Sequence, residues 1–259
     1  MAGRDPGRRG GPGWVGLTVG LVLLAVGGLA LLASLGAMAA VTTTLVVAVV
    51  LVVVGVLVVA WAVVPGRRRP TTVGVERRDA ERLALSVAYG AGTLVLCSAP
   101  PGGTLVTARS DHADIRLGVE RVGAEARVRL ARDVSGWDPF GAGSWRVEAA
   151  PDLPLALEIQ GGAGRFDIDL SASRVGSVKL YVGAGDFRCR LPVPVGDVLV
   201  HIEAGAASIR LEMPPGVAFR TRTEGFVTRS GPAEGGGYDA ATDRLTIEMT
   251  GGAASFAIG

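Results

Sequence analysis

The chain has 259 residues, 49% hydrophobic and 19% charged, with 26 basic against 24 acidic side chains. From Trp14 to Val64 there is no Asp, Glu, Lys, Arg or His, a run about twice the roughly 20 apolar residues one bilayer-crossing helix needs. That excludes a purely soluble protein and, with Val, Leu and Ile abundant, a disordered one.

Residues 1–13 form a tail with Arg4, Arg8 and Arg9. The apolar block 14–64 reads as a transmembrane hairpin of two helices, about 14–38 and 45–64, with Thr42, Thr43 and Thr44 at the turn. Trp14 and Trp61 then meet the same membrane–water interface, which amphipathic rings favour. Gly16 and Gly20 have the spacing that lets two helices approach closely. Ala37-Met38-Ala39 looks like a signal-peptidase site, but the apolar stretch before it is too long and a second span follows at once. Arginines precede the first helix and follow the second (Arg67, Arg68, Arg69, then Arg77, Arg78 and Arg82), with none in the turn. The positive-inside bias puts both termini in the cytoplasm of a plasma (inner) membrane protein. Arg67, Arg68 and Arg69 lie where anionic headgroups are expected, each contact contributing about 1 kcal/mol. Residues 65–81 read as an Arg-rich linker and 82–259 as a folded domain.

That domain repeats itself. Five stretches align on a Gly-Ala step: RLALSVAYGAGTLVL, LALEIQGGAGRFDIDL, SVKLYVGAGDFRCRL, VLVHIEAGAASIRL and RLTIEMTGGAASFAI. The aligned glycines are Gly90, Gly162, Gly183, Gly205 and Gly252. The steps from Gly162 to Gly183 and on to Gly205 are nearly equal. The last gap has room for two such periods, and the first for about three, with degraded copies between. Apolar residues alternate on both sides of each glycine, as in Leu157/Ile159 and Phe166/Ile168, the mark of half-buried strands. The glycines supply a φ > 0 corner or tight bend. A single unit cannot bury its apolar side, but stacked units can. The fold class is therefore a membrane-anchored all-β protein, a helical hairpin followed by a solenoid-like stack of short strands, with a conventional sandwich as the alternative.

An apolar hairpin followed by repeated G-A-G-x-[LF]-x-[IL] units resembles the LiaF-like, cell-wall-active-antibiotic-response membrane proteins. It is also similar to the related toast-rack β-repeat domains often attached to PspC-type proteins. The resemblance spans about Trp14 to Gly259. It implies a non-enzymatic modulator of envelope-stress signalling, although this chain has two predicted spans rather than four and no PspC-like segment.

No group of residues points to catalysis, and no cofactor or metal is expected. Ser110, Asp111 and His112 are sequence neighbours, whereas a triad needs side chains converging from separate places. Asp167 and Asp169 flank inward Ile168, so both point outward on a strand. No helix start or Gly-Lys-Ser/Thr follows the glycine corners, which argues against a phosphate cradle. His201 sits on an outward offset beside Glu203. Cys189 takes an inward offset and Cys97 an outward one, against a disulfide. Acids and bases nearly balance beyond Pro70, leaving no nucleic-acid stripe. The segment Asp133 to Trp145 breaks the repeat and reads as a loop carrying Trp137, Phe140 and Trp145, either a cap on the stack or a docking surface for a protein partner. The expected partners are the lipid bilayer and a membrane regulator such as a sensor kinase. The alternative is a scaffold that homo-oligomerises through its stack.

Overall fold

A computed structural model describes residues 70–259 apart from 101, 112–114 and 133–142. The predicted tail and hairpin (1–64), with Trp14 and Trp61, lie outside the described residues, as do Arg67, Arg68 and Arg69. Among the described residues no helix is long and apolar enough to cross a membrane.

Five long strands of 15–17 residues carry the aligned repeats: β2 (Arg82–Ser98), β7 (Pro154–Asp169), β8 (Arg174–Arg190), β9 (Asp197–Glu212) and β12 (Arg244–Ile258). They pair in parallel in the order β2-β7-β8-β9-β12. Each is one rung, bent at its Gly-Ala step so that its two arms face each other. A Cβ on Gly161, for example, would collide with the ring of Phe166 on the opposite arm. The alternating apolar residues of both arms fill the space between them. Leu85, Leu157, Val178, Val200 and Ile247 form a buried column on the first arm. On the second arm Leu94, Phe166, Phe187, Ile209 and Phe256 do the same, with the Phe166 and Phe187 ring centroids 5.9 Å apart. Burying each such side chain contributes roughly 1.5–3 kcal/mol, so these columns are the main source of stability.

Two kinds of glycine make the bend. Gly162, Gly183 and Gly205 lie so close to the rung before them that a Cβ would overlap the carbonyl oxygen of Gly90, Gly162 and Gly183 respectively. Gly92, Gly164 and Gly185 have φ of 116°, 148° and 126°. The expected positive-φ corner is therefore the second glycine of each Gly-Ala-Gly, while the first is required by close approach in β7 and β8 but not in β2.

The first gap in the repeat holds one rung fewer than its length allows, while the second holds the one intervening rung that two periods require. Between β2 and β7 lie β3 (Thr104–Ser110), β4 (Ile115–Val122), β5 (Glu125–Arg132) and β6 (Gly143–Ala149). β5 pairs in parallel with the first arm of β2 and β6 with its second, so together they make one split rung on the far side of β2. Antiparallel β4 extends β5, and β3 extends β6. Among the described residues the outermost strand there is β1 (Thr71–Glu76), paired antiparallel with β3; β structure is thus present from Thr71, ahead of the expected boundary at 82. In the second gap lie β10 (Ala218–Ser230) and the two-residue β11 (Glu234–Gly235). β10 is a rung on the outer side of β12, so the last strand in sequence is inserted between β9 and β10.

The repeat alignment predicts outward charges of opposite sign at facing positions, and the register agrees: Glu158 faces Lys179, Asp167 faces Arg188, and Arg190 lies between Asp169 and Glu212. The Arg190 guanidinium reaches Asp169 at 2.6 Å and Glu212 at 3.1 Å. Both contacts are solvent-exposed and contribute about 0–1 kcal/mol each.

Replacing Gly185, with its positive φ and the Gly164 carbonyl against its Cα, tests the corner. Gly185→Ala should destabilise the domain by roughly 1–3 kcal/mol, the usual cost of a forced backbone conformation. Gly103→Ala, where a Cβ meets nothing within 4 Å, should leave thermal unfolding of the full chain unchanged. Equal melting of the two variants would contradict this account of the bend.

Candidate interaction surfaces

The sequence places three rings in the interrupting segment, and the structure separates them. Trp145 belongs to β6, is 2% exposed, and faces Leu94 in register with the buried Phe166 and Phe187 column. Its ring packs edge-on against Tyr89 at 5.3 Å. It is core, and the expectation that it is an exposed docking residue is corrected. The signal was available: Gly143-Ser-Trp145-Arg-Val147 matches Gly164-Arg-Phe166-Asp-Ile168, the second arm of a rung. Trp137 and Phe140 lie outside the described residues.

The base of that segment is nonetheless well held. β5 and β6 pair with the two arms of the same strand, and in sequence residues 133–142 take the place of the Gly-Ala step of the other rungs. The Tyr89 hydroxyl donates to the Gly143 carbonyl and lies 3.2 Å from the Thr93 carbonyl. The Asp111 carboxylate accepts from the Ser144 amide at 2.6 Å, and the Asp111 amide donates to the Ser144 carbonyl at 3.2 Å. Asp111 is therefore a brace for β6, and Ser110 is buried at 2% exposure. His112 lies outside the described residues. Burial, aided by the nearby Asp111 charge, pushes the Tyr89 phenol up to about 12.

A second surface lies on the outer side of the bend. An open groove of about 800 Å³ crosses β7, β8, β9 and β12, floored by Gly162, Gly183, Gly205 and Gly252. Gln160, Tyr181, Glu203 and Thr250 border it, with Glu158 at one end. His201 is held beside it by Glu203 at 3.0 Å and Glu248 at 3.8 Å.

Chemistry is sparse elsewhere. Among the described residues no cluster of His, Cys, Asp and Glu could hold a metal ion. Asp169 is held below the usual carboxylate range: partial burial raises it, but the Ser171 hydroxyl and amide and the Arg190 guanidinium outweigh that. Cys97 and Cys189 are free thiols, both raised by burial. Raised thiols make poor nucleophiles.

Residues 64–212, more than half of the chain, match the family model described as the N-terminal domain of toast_rack, DUF2154. No curated protein matches the chain. Among solved structures, one from Clostridium sporogenes described as a "putative cell adhesion protein" is 15% identical, with a TM-score of 0.65 over 74% of this chain and 99% of that one. A "putative adhesin" from Bacteroides fragilis is 10% identical, with a TM-score of 0.30 over 75% and 99% of the two chains. The Clostridium likeness is one of fold.

A phenol whose folded-state value is raised stabilises the fold fully below its ordinary value and loses that contribution as pH rises through the folded one. For Tyr89 the window runs from 10.0 to about 12. Unfolding free energy followed against alkaline pH should fall more steeply there in wild type than in Tyr89→Phe. Parallel curves would show that Tyr89 ionises as freely folded as unfolded.

Proposed function

The chain belongs to the toast-rack N-terminal domain family, and we propose that it is a non-enzymatic inner-membrane protein presenting this β-repeat domain to a protein partner in the cytoplasm. The reading rests on the sequence of residues 133–142, which replaces the Gly-Ala step between two strands both held on β2: a rigid stack carries function on the segments that break its period. Trp137 and Phe140 are the proposed docking residues, since rings of this type dominate interface energetics. The helices 14–38 and 45–64 form the anchor, with Trp14 and Trp61 at the interface and Arg67, Arg68 and Arg69 against anionic lipid. The LiaF-like resemblance favours a membrane regulator such as a sensor kinase as partner and envelope stress as the setting. A second reading, favoured by the side-chain-poor groove over Gly162, Gly183, Gly205 and Gly252, places the partner there.

Affinity capture from membranes separates the two readings. Trp137→Ala with Phe140→Ala should abolish copurification of the partner, a loss of about 2 kcal/mol or more, with thermal unfolding unchanged. Retention by that variant and loss by Tyr181→Ala with Glu203→Arg would move the site to the groove. For topology, in a Cys97→Ser background, Thr43→Cys should react with an impermeant thiol reagent on intact cells and Asp186→Cys should not. Labelling of Asp186→Cys alone would invert the orientation.

A further inference from the structure

The two ends of the stack are finished differently. Beyond β2 the split rung is covered by antiparallel β4 and by β3 and β1. Beyond β12, among the described residues, lies β10, whose outer edge pairs with the two-residue β11 at Phe219 and Arg220. The Thr221 amide donates to the Ala233 carbonyl at 2.8 Å. From Arg222 to Ser230 the outer edge of β10 has no strand partner among the described residues. An unpaired edge of that kind is a template for another strand.

The corner of β10 is also distinctive. The outer ridge of the bend is alanine in the other rungs: Ala91, Ala163 and Ala184 are aligned, with Ala206 next and Ala253 in β12. In β10 the ridge residue is Phe226, 85% exposed. It sits where the register slips between Gly225 and Val227, with Gly225 at φ 86°. Beside it a hollow of about 540 Å³ is lined by Ala206, Ser208, Ala253 and Ser255. A ring thus stands next to a small-residue hollow that it does not fill.

We propose that β10 is a homodimer edge, pairing antiparallel with β10 of a second copy about a two-fold axis through Phe226. Such an axis exchanges the two arms of a bent rung, so both stacks keep their interiors in line. Phe226 then faces Phe226 of the second copy, Glu224 faces Thr228, Arg222 faces Ser230, and Thr223 faces Arg229. No like charges stand opposite one another. In-register parallel pairing would instead set Arg222 on Arg222, Glu224 on Glu224 and Arg229 on Arg229, which is unfavourable. The interface is isologous, so assembly stops at two copies. The inward face of β10 is polar where the other rungs are apolar: Thr221, Thr223 and Arg229 take the column positions, and the Arg229 guanidinium donates to the Thr221 hydroxyl at 3.2 Å, so the seam rests on backbone pairing rather than on an apolar core. The dimer stands whether or not residues 133–142 dock a partner.

The full chain purified in detergent, in a Cys97→Ser background, provides the test. Phe226→Cys should form a covalent dimer under mild oxidation, and Asp186→Cys, on the outer face of β8, should not. Without crosslinking, Thr228→Glu should shift the chain to monomer by setting two glutamates face to face. Adding Glu224→Arg should restore the dimer while thermal unfolding stays constant. A monomeric Phe226→Cys protein, crosslinking equal to that of Asp186→Cys, an open ladder of higher species, or failure of the charge exchange to rescue would each overturn the proposal.

Discussion

The domain depends on how closely one rung's backbone can approach the next at the bend. At Gly162, Gly183 and Gly205 the carbonyl oxygen of the preceding rung's glycine occupies the space a Cβ would need. Strand spacing in a sheet is fixed by hydrogen bonding at about 4.8 Å, and a sharp corner can hold that spacing only if nothing projects from its inner line. Once it holds, the arms before and after the corner keep register together, and every inward offset becomes a continuous column. The core is therefore a consequence of the corner. A bulkier residue there would shift both arms of two rungs and misalign the Phe166 and Phe187 column along with the Leu157 and Val178 column.

The same constraint explains why the ends of the stack differ from its middle. An interior rung is covered on both sides, and the residues of β8 and β9 can be apolar at every inward offset. A terminal rung has one neighbour within its own chain, so in a single copy its inward residues approach water. β10 meets this with Thr221, Thr223 and Arg229. The opposite end splits the rung: β5 and β6 are separated by ten residues in sequence and shielded by antiparallel strands. Atypical terminal repeats are general in stacked proteins. Here they also dissociate chain order from spatial order, because β12 fills the place between β9 and β10 that a regular solenoid would give to the next strand in sequence.

The regular middle was legible because each of its constraints leaves a residue-level trace. Glycine marks the corner, alternation marks the arms, and opposite outward charges mark the register that sets Arg190 between Asp169 and Glu212. What was missed lies where those traces fade. β1, with Thr71, Thr72 and Gly74, carries too little apolar alternation to announce a strand, and its pairing with β3 depends on a contact distant in sequence. The split rung lacks the Gly-Ala step, so Trp145 looked like part of a loop although it keeps the offset of Phe166. The parallel insertion of β12 between two earlier rungs leaves no local mark, because β9 and β10 present the same kind of edge to any strand. For the interaction surfaces, the sequence drew attention to aromatic crowding but could not tell a ring inside the stack from one outside it.

A strictly periodic stack has little capacity for specific recognition along its length. Along the alanine ridge the same side chain recurs at Ala91, Ala163, Ala184 and Ala206, so a ligand sliding by one rung there meets nearly the same surface. Specificity requires a feature that occurs once, and the chain has such features where the period fails: the sequence between Arg132 and Gly143, and the ridge position where Phe226 replaces alanine. Both lie on terminal rungs, where the rules of the middle are already relaxed and a new side chain need not fit between two neighbours. The stack confers rigidity, and its ends are where a sequence change can create a contact without breaking the fold.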